Sequence, residues 1–210
     1  MNFFAFQKAF REFTVFSTND IEIAFPGFDR KILVAWQDKG YIQKIRNSWY
    51  CFVDRLMQED DLCLIANKIY APSYVSLESA FAFYHFIPEG VFRTTSVSTL
   101  KTASFHTPIG YFHYRNLKPS MFFGYQLERQ TKGSMPVWYK MASPEKALID
   151  FVHLNQQYKE EVDFDSLRFD WDAFGEAVNL EKLDEYLRHI QSDALTKRIK
   201  TFLNLYHAQS

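Results

Sequence analysis

Apolar residues in the first part of the chain recur every three or four positions, and after Gly40 this spacing gives way to short runs with strand character. Phe3, Phe6 and Phe10 line one face of residues 3–13, which predicts an amphipathic first helix. The chain is therefore expected to begin with helical elements and to continue into strands.

A second and a third helix are predicted before Gly40. Ser17 and Asp20 have the Ser-x-x-Asp spacing of a helix start, in which the hydroxyl accepts from a free backbone N–H and the carboxylate reaches back. The third helix is predicted over residues 28–39, and Gly40 follows it as a residue suited to the left-handed conformation that ends helices. Each segment carries apolar residues at helical spacing and is expected to bury one face.

After the third helix, residues 41–45 and 49–53 have the composition of two short strands, and the turn residues 46–48 join them. Three helices followed by a hairpin predict a winged helix-turn-helix over residues 1–55. In that arrangement the third helix enters the major groove of double-stranded DNA, and the hairpin approaches a neighbouring stretch of backbone.

The winged-helix prediction defines candidate DNA contacts. Side chains able to reach base edges or phosphates occur at eight positions: Ser17, Thr18, Arg30, Lys31, Gln37, Lys44, Arg46 and Asn47. Arg30, Lys31 and Gln37 are expected to read or approach bases, and the other five to hold the backbone. Asp29 and Asp38 count against DNA binding if their negative charges face the groove. The alternative is that the winged helix serves as a protein-interaction module.

Residues 56–210 are predicted to form a second domain. The charged cluster 58–61 marks its boundary, where it is expected to cap a helix over residues 62–69 while staying in solvent. Ser76 is predicted to cap the next helix, which continues to about Phe86. No flexible Gly/Ser linker separates the two domains, so they are expected to be packed or closely tethered.

A sheet and a helical end complete the predicted second domain. Period-two patterns predict strands at 92–97, 102–107, 110–115, 121–127 and 137–141, with turns at 108–110 and 132–134. Ser143 and Pro144 open another helix, and residues 180–190 and 194–206 are amphipathic. The fold class predicted is α+β: a winged helix-turn-helix, then a mixed α/β domain with a mainly antiparallel sheet and a helical C-terminus.

Composition narrows the class of protein. The 22 Phe, 12 Tyr and 4 Trp exceed what a core of this size can readily hide, so some are expected at an interface. No run of about 18 apolar residues exists, and the start lacks a basic leader, so a cytoplasmic protein without a membrane partner is expected. Cys51 and Cys63 match neither a redox pair nor a zinc motif and are expected to be reduced core residues.

The net charge of −1 conceals an asymmetry. Residues 1–55 and 56–140 each carry 8 basic and 6 acidic residues, whereas residues 141–210 carry 8 and 13. A mildly basic front and an acidic tail suit a protein that meets a polyanion with one end only.

No catalytic, cofactor or metal site is predicted. The chain has no Gly-rich phosphate loop, nucleophile elbow or His-Glu-x-x-His motif. His106 and His113 could face each other across a hairpin, but no carboxylate completes a metal set. Glu128 and Gln130 faintly resemble the acidic element of metal-dependent nucleases, without the other ligands that such a site needs. Glu145 lies in the first turn of its predicted helix, where a carboxylate interacts favourably with the helix dipole, so its presence needs no catalytic role.

Five sequence blocks point to a family when they are taken in order. They are residues 74–80, 85–89, 105–110, 122–125 and 143–150. This series resembles the second domain of the AbiEi-like proteins, predicted transcriptional regulators that serve as antitoxins of type IV toxin-antitoxin systems. The resemblance covers residues 60–155 best.

The resemblance implies a function and partners. In AbiEi-like proteins the winged helix is thought to bind the operon's own promoter, and the second domain supports neutralisation of a toxin that resembles a nucleotidyltransferase, without a stable complex. We therefore expect a DNA-binding autorepressor and antitoxin. The alternatives are a DNA-processing enzyme targeted by the winged helix and a protein-interaction module. The sequence leaves open a monomer or a dimer, and a dimer would imply two half-sites about one helical turn apart.

Overall fold

Ten α-helices and two sheets form the regular structure of residues 2–88, 90, 92–130 and 136–209, which are the residues that the computed structural model describes. The protein is a mixed α/β structure whose C-terminal part is helical. The turn predicted at residues 132–134 lies outside the described residues. No helix within the described ranges combines the length and the apolar character needed to cross a bilayer.

The front part of the chain alternates helices with a small sheet. Its elements are α1 (Phe3–Phe10), β1 (Phe16–Ser17), α2 (Thr18–Ala24), α3 (Lys31–Asp38), β2 (Ile42–Arg46) and β3 (Trp49–Phe52). Three helices and a hairpin thus lie where the sequence pattern predicts them, and the short strand β1 is an addition. The sheet is antiparallel with the order β1-β3-β2.

The front sheet is buried on both faces because its strands alternate two sets of apolar residues. Ile42, Tyr50 and Phe52 join the aromatic core formed with the front helices. Ile45 and Cys51 point the other way and belong to the core of the rest of the chain. The front part therefore packs on the second part through the back of its sheet.

The second part contains a six-stranded sheet with helices around it. Its elements are α4 (Glu59–Ile69), β4 (Ser73–Val75), α5 (Glu78–Phe83), β5 (Arg93–Ser98), β6 (Ala103–Thr107), β7 (Gly110–Asn116), β8 (Tyr125–Arg129), β9 (Trp138–Ala142), α6 (Pro144–Leu154), α7 (Glu161–Asp165), α8 (Trp171–Ala177), α9 (Leu180–Ile190) and α10 (Asp193–Gln209). The strand order is β6-β7-β5-β4-β9-β8. Of the described pairings, β4–β9 and β5–β7 are parallel and the other three are antiparallel.

The predicted solvated cluster at the start of α4 is partly buried. The helix begins at Glu59, and Gln58 and Asp61 form its capping box. Asp61 is only 4% exposed. Its carboxylate accepts from the Thr14 hydroxyl at 3.3 Å, from Arg55 at 3.2 Å and from the Gln130 amide. Asp61 therefore joins the front part to α4 and to the end of β8, and the prediction that it stays in solvent is wrong.

Two other predicted elements begin later than the sequence indicates. Ser76 does not cap a helix, because its hydroxyl donates to Asp150 at 2.9 Å, and α5 starts only at Glu78. Before α5, Leu77 has a positive φ of 62°. The strand predicted from Met121 is preceded by a 3-10 turn at Pro119–Met121, and β8 begins at Tyr125.

Helix α6 is the central helix of the second part. Ser143 caps its start by accepting from the Lys146 N–H, as the Ser-Pro sequence predicts. At its end the Arg198 guanidinium donates to the Val152 carbonyl at 2.5 Å, and Arg115 donates to the Leu154 carbonyl at 2.8 Å. Both arginines neutralise the negative end of the helix dipole. The C-terminal helices α7, α8 and α10 pack on one another through the rings of Phe164, Phe174 and Phe202.

Candidate nucleic-acid interface

Helix α3 presents one buried face and one exposed face. Leu33 and Trp36 insert into the front core, whereas Lys31 and Val34 lie in solvent, with Val34 58% exposed. The helix start is fixed by the Asp29 carboxylate, which accepts from the Lys31 N–H at 2.9 Å. The exposed face is therefore open to solvent along the middle of the helix.

The two basic residues at the start of α3 are both exposed. Arg30 is the residue before the first turn and makes no side-chain capping bond, and Lys31 is the first residue of the helix. A helix N-terminus carries a partial positive charge, which adds to these two cations. Asp29 is also exposed here, but its carboxylate is engaged by the helix backbone. The start of α3 therefore favours the binding of an anion.

Gln37 is half-buried near the other end of α3. Its amide donates to the Leu33 carbonyl at 3.1 Å, one turn earlier. The residue lies on the same helix as Arg30 and Lys31, but part of its hydrogen-bonding capacity is used within that helix. The exposed Asp38 follows it and adds a negative charge at this end.

The start of α2 lies against the turn of the front hairpin. The Thr18 N–H donates to the Ser48 carbonyl at 2.9 Å, which brings Thr18 beside the exposed Asn47. Ser48 has a positive φ of 67°, as tight hairpin turns require. Thr18 and Asn47 thus belong to one surface, and the exposed Lys44 lies on the adjoining strand β2.

Ser17 and Arg46 are placed differently from the prediction. Ser17 is 8% exposed, and its hydroxyl is held by the Asp20 carboxylate at 2.7 Å in the capping box. It therefore has little access to a phosphate. The Arg46 guanidinium donates to the Ile69 carbonyl and lies 4.0 Å from the centre of the Phe105 ring. Arg46 thus holds the hairpin against the second part rather than facing outward.

One exposed residue in this region was not singled out from the sequence as a contact. Ile23 on α2 is 73% exposed, although it stands in an apolar pair with Ile21, which is 1% exposed. The helical period explains the difference, since positions two apart lie on opposite sides of a helix. Ile23 on α2 and Val34 on α3 are exposed apolar side chains of a kind that can contact thymine methyl groups.

A second concentration of chemical groups lies inside the second part. The Lys146 ammonium contacts Asp150, and donates to the Tyr74 hydroxyl at 3.0 Å. Asp150 also accepts from Tyr74 at 2.8 Å and from Ser76. Lys146 and Asp150 are completely buried. Burial, and then the charge on Asp150, raises the pKa of Tyr74 well above its usual range. The hydrogen bonds within this buried cluster tie β4 and the following residue Ser76 to α6.

Glu145 has a further role beyond the helix dipole. It is 2% exposed, and its carboxylate accepts from the Asn179 N–H at 3.0 Å, from Lys182 at 2.9 Å and from Ser143 at 2.7 Å. Burial opposes ionisation, but these hydrogen bonds outweigh it and lower the pKa of Glu145. Glu145 therefore fastens the start of α9 to α6.

The two histidines considered for metal chemistry lie on one face of the β6–β7 hairpin, but each has another partner. His106 stacks on Tyr111 with ring centres 4.2 Å apart, and the ring of His113 shares a hydrogen bond with the Ser104 hydroxyl at 2.8 Å. Burial, followed by the charges on Arg93 and Arg115, lowers the pKa of His113. Within the described ranges no three His, Cys, Asp or Glu side chains are grouped to hold a metal ion.

The nuclease-like spacing of Glu128 and Gln130 also has a structural explanation. Glu128 accepts from Gln126 at 2.8 Å on the same strand, whereas Gln130 is buried and donates to Thr14 at 3.0 Å. The two side chains thus serve different neighbours.

Comparison with known proteins adds no assignment. No protein-family model matches this chain, and no curated protein sequence matches it.

Proposed function

We propose that this protein is a DNA-binding transcriptional regulator whose front part is a winged helix-turn-helix. The observation that supports the proposal most directly is the exposed basic start of α3, where Arg30 and Lys31 stand beside an uncovered helix face. The hairpin turn with Asn47 and the start of α2 with Thr18 adjoin each other and supply groups suited to phosphate oxygens.

In this proposal α3 enters the major groove, and Arg30 and Lys31 approach bases or flanking phosphates. Thr18, Lys44 and Asn47 hold the backbone. Arg46 and Ser17 act indirectly, because Arg46 fixes the hairpin and Ser17 caps α2. The mechanism is occupancy of a promoter, and no catalytic step is required.

We further propose that the regulator acts on its own operon as the antitoxin of a type IV toxin-antitoxin pair, with the second part neutralising the toxin without a stable complex. Support comes from the resemblance to AbiEi-like proteins. Two of the blocks that carry it, residues 74–80 and 143–150, meet at the buried cluster of Tyr74, Ser76 and Asp150. Two of the five blocks therefore contact each other in the folded chain.

The test is fluorescence anisotropy of the full chain on its own upstream DNA and on scrambled DNA, at several salt concentrations. Arg30→Ala and Lys31→Ala are expected to weaken specific binding, by roughly 1–3 kcal/mol for a residue that contacts a base. A residue that contacts only phosphate should instead lower the slope of log affinity against log salt by about one.

The matched control is Lys200→Ala, which removes an exposed cation from α10 in the acidic C-terminal region. It should leave binding and the salt slope unchanged. Equal weak binding to both DNAs, or equal losses in Lys200→Ala and Lys31→Ala, would contradict the proposal.

A further inference from the structure

Strand β8 forms one edge of the six-stranded sheet, and its outer side pairs with no described strand. The opposite edge, β6, is covered by the front part, where Arg46 lies over the Phe105 ring. Exposed edges are usually protected by proline, lysine or a bulge. Strand β8 has no proline, lysine or bulge, its two charged residues, Glu128 and Arg129, have opposite signs, and Leu127 at its centre is 59% exposed.

The register with β9 determines which backbone groups face outward. The Gln130 N–H donates to the Val137 carbonyl at 2.9 Å, and the Ser143 N–H donates to the Gly124 carbonyl at 2.9 Å. Hydrogen-bonded pairs alternate along an antiparallel ladder, so even-numbered residues of β8 bond to β9. The N–H and C=O groups of Tyr125, Leu127 and Arg129 therefore point away from the sheet.

We propose that this edge is a homodimer interface, in which β8 of a second copy pairs antiparallel with it about a twofold axis at Leu127. The strand, Tyr-Gln-Leu-Glu-Arg, is self-complementary in this register. Leu127 lies opposite its own copy, Gln126 lies opposite Glu128, and Tyr125 lies opposite Arg129. All three outward-facing residues then exchange backbone hydrogen bonds across the axis, and no like charges lie directly opposite each other on the paired strands.

The side chains beside the edge fit the same arrangement. Trp138 is 51% exposed and pairs directly with Arg129 across the β8–β9 ladder. In the dimer Arg129 lies between Trp138 of its own copy and Tyr125 of the second copy, and the Trp138 ring face attracts its guanidinium. The Tyr125 ring already holds the Lys140 ammonium 5.1 Å from its centre. Burial of Leu127 and Trp138 supplies apolar area that the single chain leaves in water.

This inference deepens the proposed function, because a twofold dimer would present two copies of α3 to a DNA site with two half-sites. The dimer itself does not depend on DNA binding. An acidic or apolar partner is a weaker fit, since neither matches the alternation of Gln126, Glu128 and Arg129 along the edge.

The experiment is sedimentation velocity of the full chain from low to high micromolar concentration, with Leu127→Pro as the variant. The Leu127 N–H points outward, so proline removes no hydrogen bond from the β8–β9 ladder and is tolerated at such an edge position. The wild type is expected to dimerise and Leu127→Pro to stay monomeric with an unchanged circular dichroism spectrum. Val162→Ala, at a 75% exposed residue of α7, is the control that should still dimerise.

A second pair of variants keeps the test decisive if Leu127→Pro does not fold. Gln126→Lys places a cation opposite Glu128 of the second copy and should tighten the dimer roughly twofold to thirtyfold, since the contact occurs twice. Gln126→Glu should weaken it by a similar factor. Monomeric wild type at every concentration, or a dimer insensitive to all three β8 variants, would overturn the proposal.

The two proposals fail separately in these measurements. A dimer that depends on β8 but shows no specific DNA binding would leave the interface standing and remove the regulator function. Specific DNA binding by a chain that stays monomeric would support the regulator function and overturn the dimer interface.

Discussion

At the scale of single residues, the ion pair of Lys146 and Asp150 is completely buried. Two charges removed from water are tolerated only when their remaining hydrogen-bonding groups are also satisfied. Tyr74 and Ser76 both donate to Asp150, and Tyr74 also accepts from Lys146. The cluster therefore ties β4 to α6, and each member depends on the others.

Removing one charge of this pair should cost much more than removing both. Lys146→Met is expected to destabilise the fold by about 3–5 kcal/mol, because Asp150 would remain buried without its counter-charge, and Asp150→Asn by a similar amount. The double variant should cost less than the sum of the two. Urea unfolding of the four proteins measures the coupling.

The surface pair of Arg188 and Asp184 is the matched control, since it has the same i,i+4 spacing on a helix and side chains that are 72% and 67% exposed. Arg188→Met should change stability by less than about 0.5 kcal/mol. Additive losses at Lys146 and Asp150 would show that the two side chains do not form the coupled pair described.

At the scale of elements, the start of α4 joins three segments of the chain. Asp61→Ala removes a capping box and the acceptor for Thr14, Arg55 and Gln130 at once. We expect a loss of about 2–4 kcal/mol, combining a lost cap with buried donors left unsatisfied. Glu59→Ala, in the same first turn but exposed, should lose at most about 1 kcal/mol. Thermal unfolding of both variants checks this, and equal losses would contradict it.

The sequence was sufficient for elements that are specified locally. Ser143 and Pro144 predict the start of α6 because a hydroxyl cap and a preset φ act within one turn. The helix start predicted at Ser76 is wrong because the Ser76 hydroxyl bonds to a distant residue, Asp150, which no local sequence pattern identifies. Element positions in the front part followed from helical and strand periods, whereas strand order in the second part depends on non-local pairing.

Some features of the candidate site also follow from the local sequence, and others depend on contacts between distant residues. Exposure of Lys31 follows from its place opposite the apolar face of α3, whereas Arg30 precedes the first turn of that helix. The inward position of the Arg46 side chain does not follow from the sequence pattern. It depends on Phe105 and the Ile69 carbonyl, which lie next to the hairpin only in the folded chain.

At the scale of the whole molecule, the front and second parts share a core. Val15, Ile45 and Cys51 from the front part are buried among residues of α4 and the larger sheet, and Thr14 bonds to Asp61 and Gln130. Apolar area between the parts contributes to the stability of both, at roughly 25 cal/mol per Å² removed from water. A front part released from this contact would expose the back of its sheet.

We therefore expect the two parts to unfold together. Trp36 lies in the front core and Trp171 packs among the C-terminal aromatic residues, so each reports on one part. With Trp49 and Trp138 replaced by Phe, variants retaining only Trp36 or only Trp171 should show the same urea midpoint by fluorescence, which should coincide with the loss of far-UV circular dichroism. Residues 1–55 expressed alone should be much less stable than the same residues in the full chain. Separate midpoints, or a stable isolated front part, would mean that the shared core contributes little and that the two parts fold independently.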